Sequence, residues 1–388
     1  MAKPELKKLS ILFLVWRTSL FIIGFLAQKA LPYDPSFPYS EIILAKSNLP
    51  IWLYSWANFD GVHYLTIVRE GYFGTGLIQA FFPLFPILVK LISLLVTSKV
   101  LAGLIISNLF LFLFFYIWFI FAKEEWGKKI AHLSLFTIML FPTSFFMGSL
   151  YTESLFLFLI TSSFFSAKRK NWALAGVFAA LASATRVVGI LLVPSLLIEL
   201  LNQNYQKRII PSLVNILKTK KKEMLWIFSG SLGLVIYMLY LNYKFYDPLY
   251  FFHVQSEFGG GRQESLILYP QVVFRYIKIL LTYRPINLSY YAYVQEFLIS
   301  TLGLIALIFS YKYVRKSFLF FALAAFFVPT LTGTFSSMPR YILVSFPIFI
   351  YLAKLLEKKT KLKILYFSIS TLLLIFNTIL FIQGYWVA

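Results

Sequence analysis

The stretch VLAGLIISNLFLFLFFYIWFIFAKEEWGKK, residues 100–129, decides the fold. From Val100 to Ala122 no residue is charged, and then Lys123, Lys128 and Lys129 follow closely. An apolar run of about twenty residues crosses a ~30 Å hydrocarbon core as a helix. A basic cluster at its end marks the cytoplasmic side. Working outward, similar runs recur near 10–31, 130–147, 150–167, 172–186, 187–201, 224–243, 295–311, 317–335, 340–356 and 364–385. With 100–122 they predict eleven spans and an all-α polytopic membrane protein, a single integral membrane domain over 1–388.

Composition agrees. Of 388 residues 60% are apolar and 13% charged, and the mean hydropathy is +0.78. A soluble chain of this length carries roughly twice that charge. The 43 Phe and 25 Tyr suit rings that face lipid or sit at its interface. The net charge of +21 would suggest nucleic acid in a soluble protein. Here the basic residues read as topology signals and contacts to membrane lipids, and no nucleic-acid motif competes. With no cysteine, disulfides, thiolate catalysis and cysteine metal sites are excluded. The first segment, Lys3 to Leu31, is too long for a signal peptide and lacks a small-residue cleavage site, so it reads as a retained span.

The segment AFFPLFPILVKLISLLVTS, 80–98, is ambiguous, with Pro83 and Pro86 near its start and Lys90 inside. The charge distribution resolves it. The stretches 1–8, 123–129, 168–170, 202–223, 311–316 and 354–363 hold 23 of the 36 Lys and Arg. All six fall on the cytoplasmic side if 80–98 lies along the outer surface instead of crossing. The N-terminus is then inside. Two long loops become external, about 32–99 and about 244–294. Both are rich in Tyr, Trp and Phe, which argues for function over disorder.

Acidic residues are few on the external side: Asp34, Glu41, Asp60, Glu70, Glu153, Asp247, Glu257, Glu264 and Glu296. Asp60 lies in Trp56-Ala-Asn-Phe-Asp60-Gly61-Val-His63-Tyr64. It is either a helix cap or a general base whose aromatic surroundings raise its proton affinity. Glu153 follows Tyr151-Thr152 at an external turn, as a cap or as a partner to Asp60. Arg186 and Arg340 break the positive-inside trend at external span ends. They either snorkel to headgroups or clamp a phosphate with paired hydrogen bonds. Arg262, after Gly259-Gly260-Gly261, is a third phosphate candidate; no strand precedes the glycines, so a nucleotide P-loop is rejected. Three histidines make a zinc site improbable. His63 reads as a hydrogen-bond partner of a sugar or a carboxylate, and no metal is assigned. Arg17, inside an apolar run, is expected to face the protein interior or a wet cavity.

Five motifs in order, WANFDGVHYLTIVREGY, FFPLFP, FPTSFFMGSLYTESLF, ATRVVGILL and MPRYILVSFPIF, resemble the PIG-V family of GPI mannosyltransferases and its prokaryotic relatives, over about 10 to 350. The family belongs to the membrane glycosyltransferases of the GT-C fold. The resemblance implies surface-lying helices in the first external loop. It also implies a polyprenyl- or dolichyl-phosphate sugar donor, usually mannose, a glycan or glycolipid acceptor, and inversion at the anomeric carbon. Asp60 falls on the family's loop acid and Glu153 on its Tyr-Thr-Glu motif. Catalytic roles are therefore expected for Asp60 and Glu153, donor-phosphate binding for Arg340, Arg186 and Arg262, and substrate contacts for His63, Tyr64, Tyr151 and Gln255. No cofactor is required, since three arginines can meet a monophosphate leaving group. The expected location is the plasma membrane of a prokaryote in preference to the ER, with the site on the extracytoplasmic side. A lipid-linked-sugar flippase or transporter stays open as the rival reading.

Overall fold

The computed structural model describes residues 3–205, 209–258, 261–263 and 265–387. Gly259, Gly260 and Glu264, named above, lie outside these. Among the described residues all regular structure is helical. Four helices are long and apolar enough to cross a membrane: Lys3–Ala30, Lys99–Trp126, Leu288–Ser310 and Thr360–Ile382. Among the described residues two bent helix pairs are also apolar and long enough together, each as a broken span or a re-entrant loop. Lys221–Ser229 and Leu232–Phe245 meet at 45°, and Met338–Val344 and Pro347–Leu356 at 84°. The first pair packs almost backbone to backbone on the helix Trp172–Ser183, because Gly176, Gly230 and Gly233 leave no room there for a Cβ. Small residues are what let helices approach this closely in a bilayer. The second bend falls just before Pro347, which has no N–H to continue a helical ladder.

The other expected spans are shorter: Lys128–Met139, Glu153–Lys168, Trp172–Ser183, Leu192–Gln203 and Lys316–Thr330. At 1.5 Å per residue a 12-residue helix covers about 18 Å, less than the hydrocarbon core. The reason shows best between the first two. Where the sequence predicts spans over 130–147 and 150–167, residues 141–152 form a buried turn instead. Irregular backbone at membrane depth survives only when protein satisfies its polar groups. Here Thr143 Oγ donates to the Pro339 carbonyl (2.6 Å), and Ser144 and Ser149 bond the Met139 and Phe145 carbonyls. The Leu150 amide donates to the Trp56 carbonyl at 2.8 Å, tying the turn to the first loop. Arg17, buried within the first helix, donates to the Gly148 carbonyl at 2.7 Å and lies against Phe21 and Trp56.

Residues 80–98 form no helix long enough to cross a hydrocarbon core. They form the nine-residue helix Leu84–Ile92 and a turn. Ile87, Leu91, Leu94 and Leu95 are exposed beside the exposed Lys90, while Phe85 and Val89 are buried, as in a helix lying at an interface. The helix Tyr269–Thr282 in the second loop repeats the pattern: Val272 and Tyr276 face inward, Phe274, Ile277 and Leu281 outward.

Ion pairs gather the basic stretches at one end of the bundle. Glu5 meets Lys123 (2.8 Å) and Lys128, and Lys129 meets Glu357. Glu125 meets Lys168 and Arg315, and Arg315 also holds the buried Glu199 at 2.6 Å. The helix Lys99–Trp126 serves as a ruler. Ser107 Oγ donates to the Tyr151 carbonyl near one end, and Lys123 sits at the other. The sixteen steps from Ser107 to Lys123, at 1.5 Å each, span about 24 Å. The 141–152 turn and the basic cluster therefore occupy opposite ends.

The chain has no native cysteine, so single cysteines report sidedness cleanly. Thr97→Cys and Arg284→Cys should react with a membrane-impermeant maleimide from one side and Lys221→Cys only from the other. Gly76→Cys, at an exposed position ahead of 80–98, should react from the same side as Thr97→Cys; labelling of these two from opposite sides would show that 80–98 crosses.

Candidate active site

Asp60 is the first residue of the helix Asp60–Glu70. It does not cap that helix. The preceding Phe59 takes φ +56, a region that costs a non-glycine residue about 1–3 kcal/mol and persists only when neighbours fix it. The Phe59 ring lies among Phe37, Phe381 and Trp386. Asn58, fully buried, donates to the Phe381 carbonyl at 2.8 Å. Tyr151 Oη donates to the Asn58 carbonyl (2.8 Å) and accepts from the Asp60 amide (3.2 Å). The strained entry is thus held from two sides, and it aims the Asp60 carboxylate away from its own helix.

That carboxylate meets Arg340, whose Nη1 donates to Oδ2 at 2.5 Å. Glu153, also first in its helix and not a cap, is fully buried. Its Oε1 accepts from Arg186 Nη2 at 2.5 Å and lies 3.5 Å from Arg340 Nε. The four side chains therefore form one line of alternating charge, Asp60–Arg340–Glu153–Arg186. Tyr341 seals it: its ring lies 5.1 Å from the Arg340 guanidinium carbon and 5.7 Å from that of Arg186. Arg340 is also flanked by Tyr151 at 5.2 Å and Phe146 at 5.5 Å, distances at which a ring face attracts a cation.

Electrostatics correct one expectation. Burial does push the Asp60 carboxyl upward, but the Arg340 guanidinium outweighs it and holds the group below its ordinary value; His63 and Arg262 act in the same direction. Resting Asp60 is therefore an ionised, paired carboxylate, not one of raised proton affinity. His63 is held below its usual value, because burial outweighs the pull of Asp60, and so stays neutral at pH 7. Snorkelling is ruled out for Arg340, which is 5% exposed and paired.

A cavity of about 260 Å³ opens beside this line. Asp60, Arg186 and Arg340 contribute to its wall, as do Arg262, Gln255, Tyr64 and Tyr341, among Phe81, Phe82 and Phe258. Of the expected site residues, Asp60, Arg186, Arg340, Arg262, Tyr64 and Gln255 line it. Glu153 and Tyr151 stand behind the wall, and His63 lies stacked on Phe81 at 4.9 Å. Tyr64 Oη points to Thr152 Oγ1 at 3.5 Å, and the Gln255 amide donates to the Phe251 carbonyl. Arg262 lies 5.5 Å from the Phe258 ring and has no carboxylate partner among the described residues. Gln255 and Arg262 of the second loop thus reach the same cavity as Asp60. Sequence reasoning passed over Asn58 and Tyr341. Each adjoins a chosen charge, at Asn58-Phe59-Asp60 and Arg340-Tyr341, and that adjacency was the available signal.

Comparison with family models and with curated proteins finds no match. Among solved structures the chain is similar to ArnT from Cupriavidus metallidurans bound to undecaprenyl phosphate, with a TM-score of 0.51 at 13% identity. That likeness covers 86% of this chain and 63% of ArnT. It is also similar to an Archaeoglobus fulgidus oligosaccharyltransferase tethered with an acceptor peptide, with a TM-score of 0.46 at 12% identity, over 96% of this chain and 55% of that one. The chain thus spans less than two thirds of either protein's length. The architecture is that of the GT-C membrane glycosyltransferases, and the likeness to ArnT rests on fold, not on sequence.

Removing one member of a buried ion pair typically costs about 3–5 kcal/mol, because a charge is left uncompensated. Glu153→Ala strands Arg186 and Arg340 together and should lose at least that much in denaturant unfolding in detergent. Asp60 adds a pH signature. Its lowered proton affinity in the folded state stabilises the protein above the ordinary Asp value of about 3.9, and this is lost as pH falls through the lowered folded value. Asp60→Asn should flatten the stability profile below about pH 4; an unchanged acid limb would show that the pair does not form.

Proposed function

We propose that the chain is a membrane glycosyltransferase of the PIG-V-like type. It transfers a sugar, with mannose the first choice, from a polyprenyl- or dolichyl-phosphate donor to a hydroxyl of a glycan or glycolipid acceptor on the extracytoplasmic face. The observation that carries this reading is one cavity lined, among the described residues, by a single carboxylate, Asp60, and three arginines, at the end of the bundle opposite the basic loops. The GT-C fold supports it. So does the undecaprenyl phosphate bound to ArnT, a ligand with the lipid and phosphate chemistry the reading requires.

The donor's lipid tail lies in the bilayer and its phosphodiester enters the cavity. Arg262, which has no carboxylate partner among the described residues, meets it first. Arg340 is tied to Asp60, and the phosphate competes for that guanidinium, which matches phosphate with paired hydrogen bonds. As Arg340 turns to the phosphate, Asp60 loses its cation while it stays half-buried beside the bound anion, so its proton affinity rises. Donor binding thereby makes Asp60 a competent base. Asp60 then takes the acceptor's hydroxyl proton while that oxygen forms a bond to the sugar C1. The C1–O bond to phosphate breaks on the opposite face, and polyprenyl phosphate departs with the electron pair. The arginines stabilise its growing charge, so the reading routes no step through a metal. Glu153 holds Arg186 and Arg340 in register, and Tyr151 fixes the backbone of Asp60.

General-base removal typically costs about 10²–10⁴ in rate. Asp60→Asn should fold, bind donor and lose at least about 10² in turnover with polyprenyl-phosphate-mannose and a panel of acceptors. Near-normal turnover would remove Asp60 from the role. Arg340→Ala should weaken binding of polyprenyl phosphate, and an unchanged affinity would count against the phosphate assignment.

A further inference from the structure

Arg340 sits just beyond a turn that the second external loop grips from outside. The turn needs fixing, because Gly333 has φ +90 and Ser337 has φ +65. Ser337 is a non-glycine residue in the left-handed region, and its carbonyl accepts from the Arg340 amide at 3.0 Å. Any slackening at Ser337 therefore reaches Arg340 directly. The Gln263 amide donates to the Thr332 carbonyl, and Arg275 Nη1 donates to the Gly333 carbonyl at 3.0 Å.

The innermost contact is the most unusual. Tyr276, on the surface-lying helix Tyr269–Thr282, accepts from the Phe335 amide at 3.2 Å through its hydroxyl oxygen. The same hydroxyl lies 3.2 Å from Thr334 Oγ1 and donates to Glu296 Oε2 at 2.6 Å. Glu296 is 1% exposed, sits in the long helix Leu288–Ser310, and has no cation within ion-pair distance among the described residues. A buried carboxylate without a counter-ion is expensive inside a membrane protein and calls for a task. It takes no part in the chemistry above.

We propose that Tyr276 and Glu296 are positioning residues. Their hydrogen-bonded pair pins the 333–337 turn and thereby holds the Arg340 guanidinium on Asp60. Through Tyr276, a helix that lies at the membrane surface sets the geometry of the charged line. The catalytic consequence rests on the transferase reading. The placement of Arg340 does not, so the two can fail separately.

The test is a pH titration of the Asp60 carboxyl by infrared difference spectroscopy on the full chain in nanodiscs, with the Asp60 band assigned by Asp60→Asn. An adjacent guanidinium typically lowers a carboxyl pKa by about 1–3 units. Tyr276→Phe keeps the ring on Phe335 and removes the hydroxyl, and it should raise the Asp60 midpoint by at least about one unit on that basis. In an Arg340→Gln background the same substitution should add nothing, since coupling through a shared partner disappears with the partner. If Tyr276→Phe does not yield folded protein, Glu296→Gln serves: it weakens the acceptor for the Tyr276 hydroxyl and should shift the midpoint in the same direction by less. An unmoved midpoint in the folded variant, or a shift that persists without Arg340, would overturn the proposal. The readout needs no turnover, so an inactive wild type would count against the transferase reading alone.

Discussion

The structure depends on the contact between Arg340 and Asp60. Neither group tolerates burial alone, and each arrives from a different part of the chain: the first loop, and the break between two helices some 280 residues later. Glu153 and Arg186 extend the contact into a line of alternating charge. Opposed charges let a polar site exist at the membrane boundary without a large net charge. A carboxylate bound to a guanidinium is poorly basic, and a guanidinium bound to a carboxylate is only partly available to another anion. In the proposed reading an incoming phosphate relieves both constraints at once, which is why an ion pair, and not an isolated acid, suits that chemistry.

The fold serves that line by interrupting its own spans. Helices such as Lys128–Met139 and Glu153–Lys168 stop short of a full crossing, and the chain between them turns through 141–152 inside the protein. Buried hydroxyls of Thr143, Ser144 and Ser149 meet backbone groups that lipid could not. The turn then presents Tyr151 to the backbone of Asp60 and Glu153 to both arginines. The opposite end carries the basic stretches, tied together by Glu5, Glu125 and Glu199. The two ends thus use charge differently: on one side for anchoring, on the other for a site.

Much of this was legible in the residues. Apolar runs and basic loops placed 80–98 off the crossing path, and the helix Leu84–Ile92, with its exposed leucines and Lys90, has the shape that follows. Asp60, Glu153, Arg186 and Arg340 stood out because their charges fell where charge is costly, and they converge. What stayed hidden was the pairing. Sequence distance says nothing about which arginine meets which carboxylate, so the Asp60 proton affinity was read from its aromatic neighbours alone and came out with the wrong sign. The shortening of the spans was hidden too. Hydropathy sees Phe141 to Leu150 as continuous with its flanks, and only the backbone shows the turn. Asn58 and Tyr276 act through hydrogen bonds to residues distant in the chain, which leave no periodicity to read.

The most direct measurement is a structure of the protein in nanodiscs with polyprenyl phosphate bound, compared with the ligand-free state. The account predicts the phosphate in the Asp60 cavity against Arg262 and Arg340, with the Arg340–Asp60 contact opened. A phosphate bound elsewhere, with that contact intact, would contradict it.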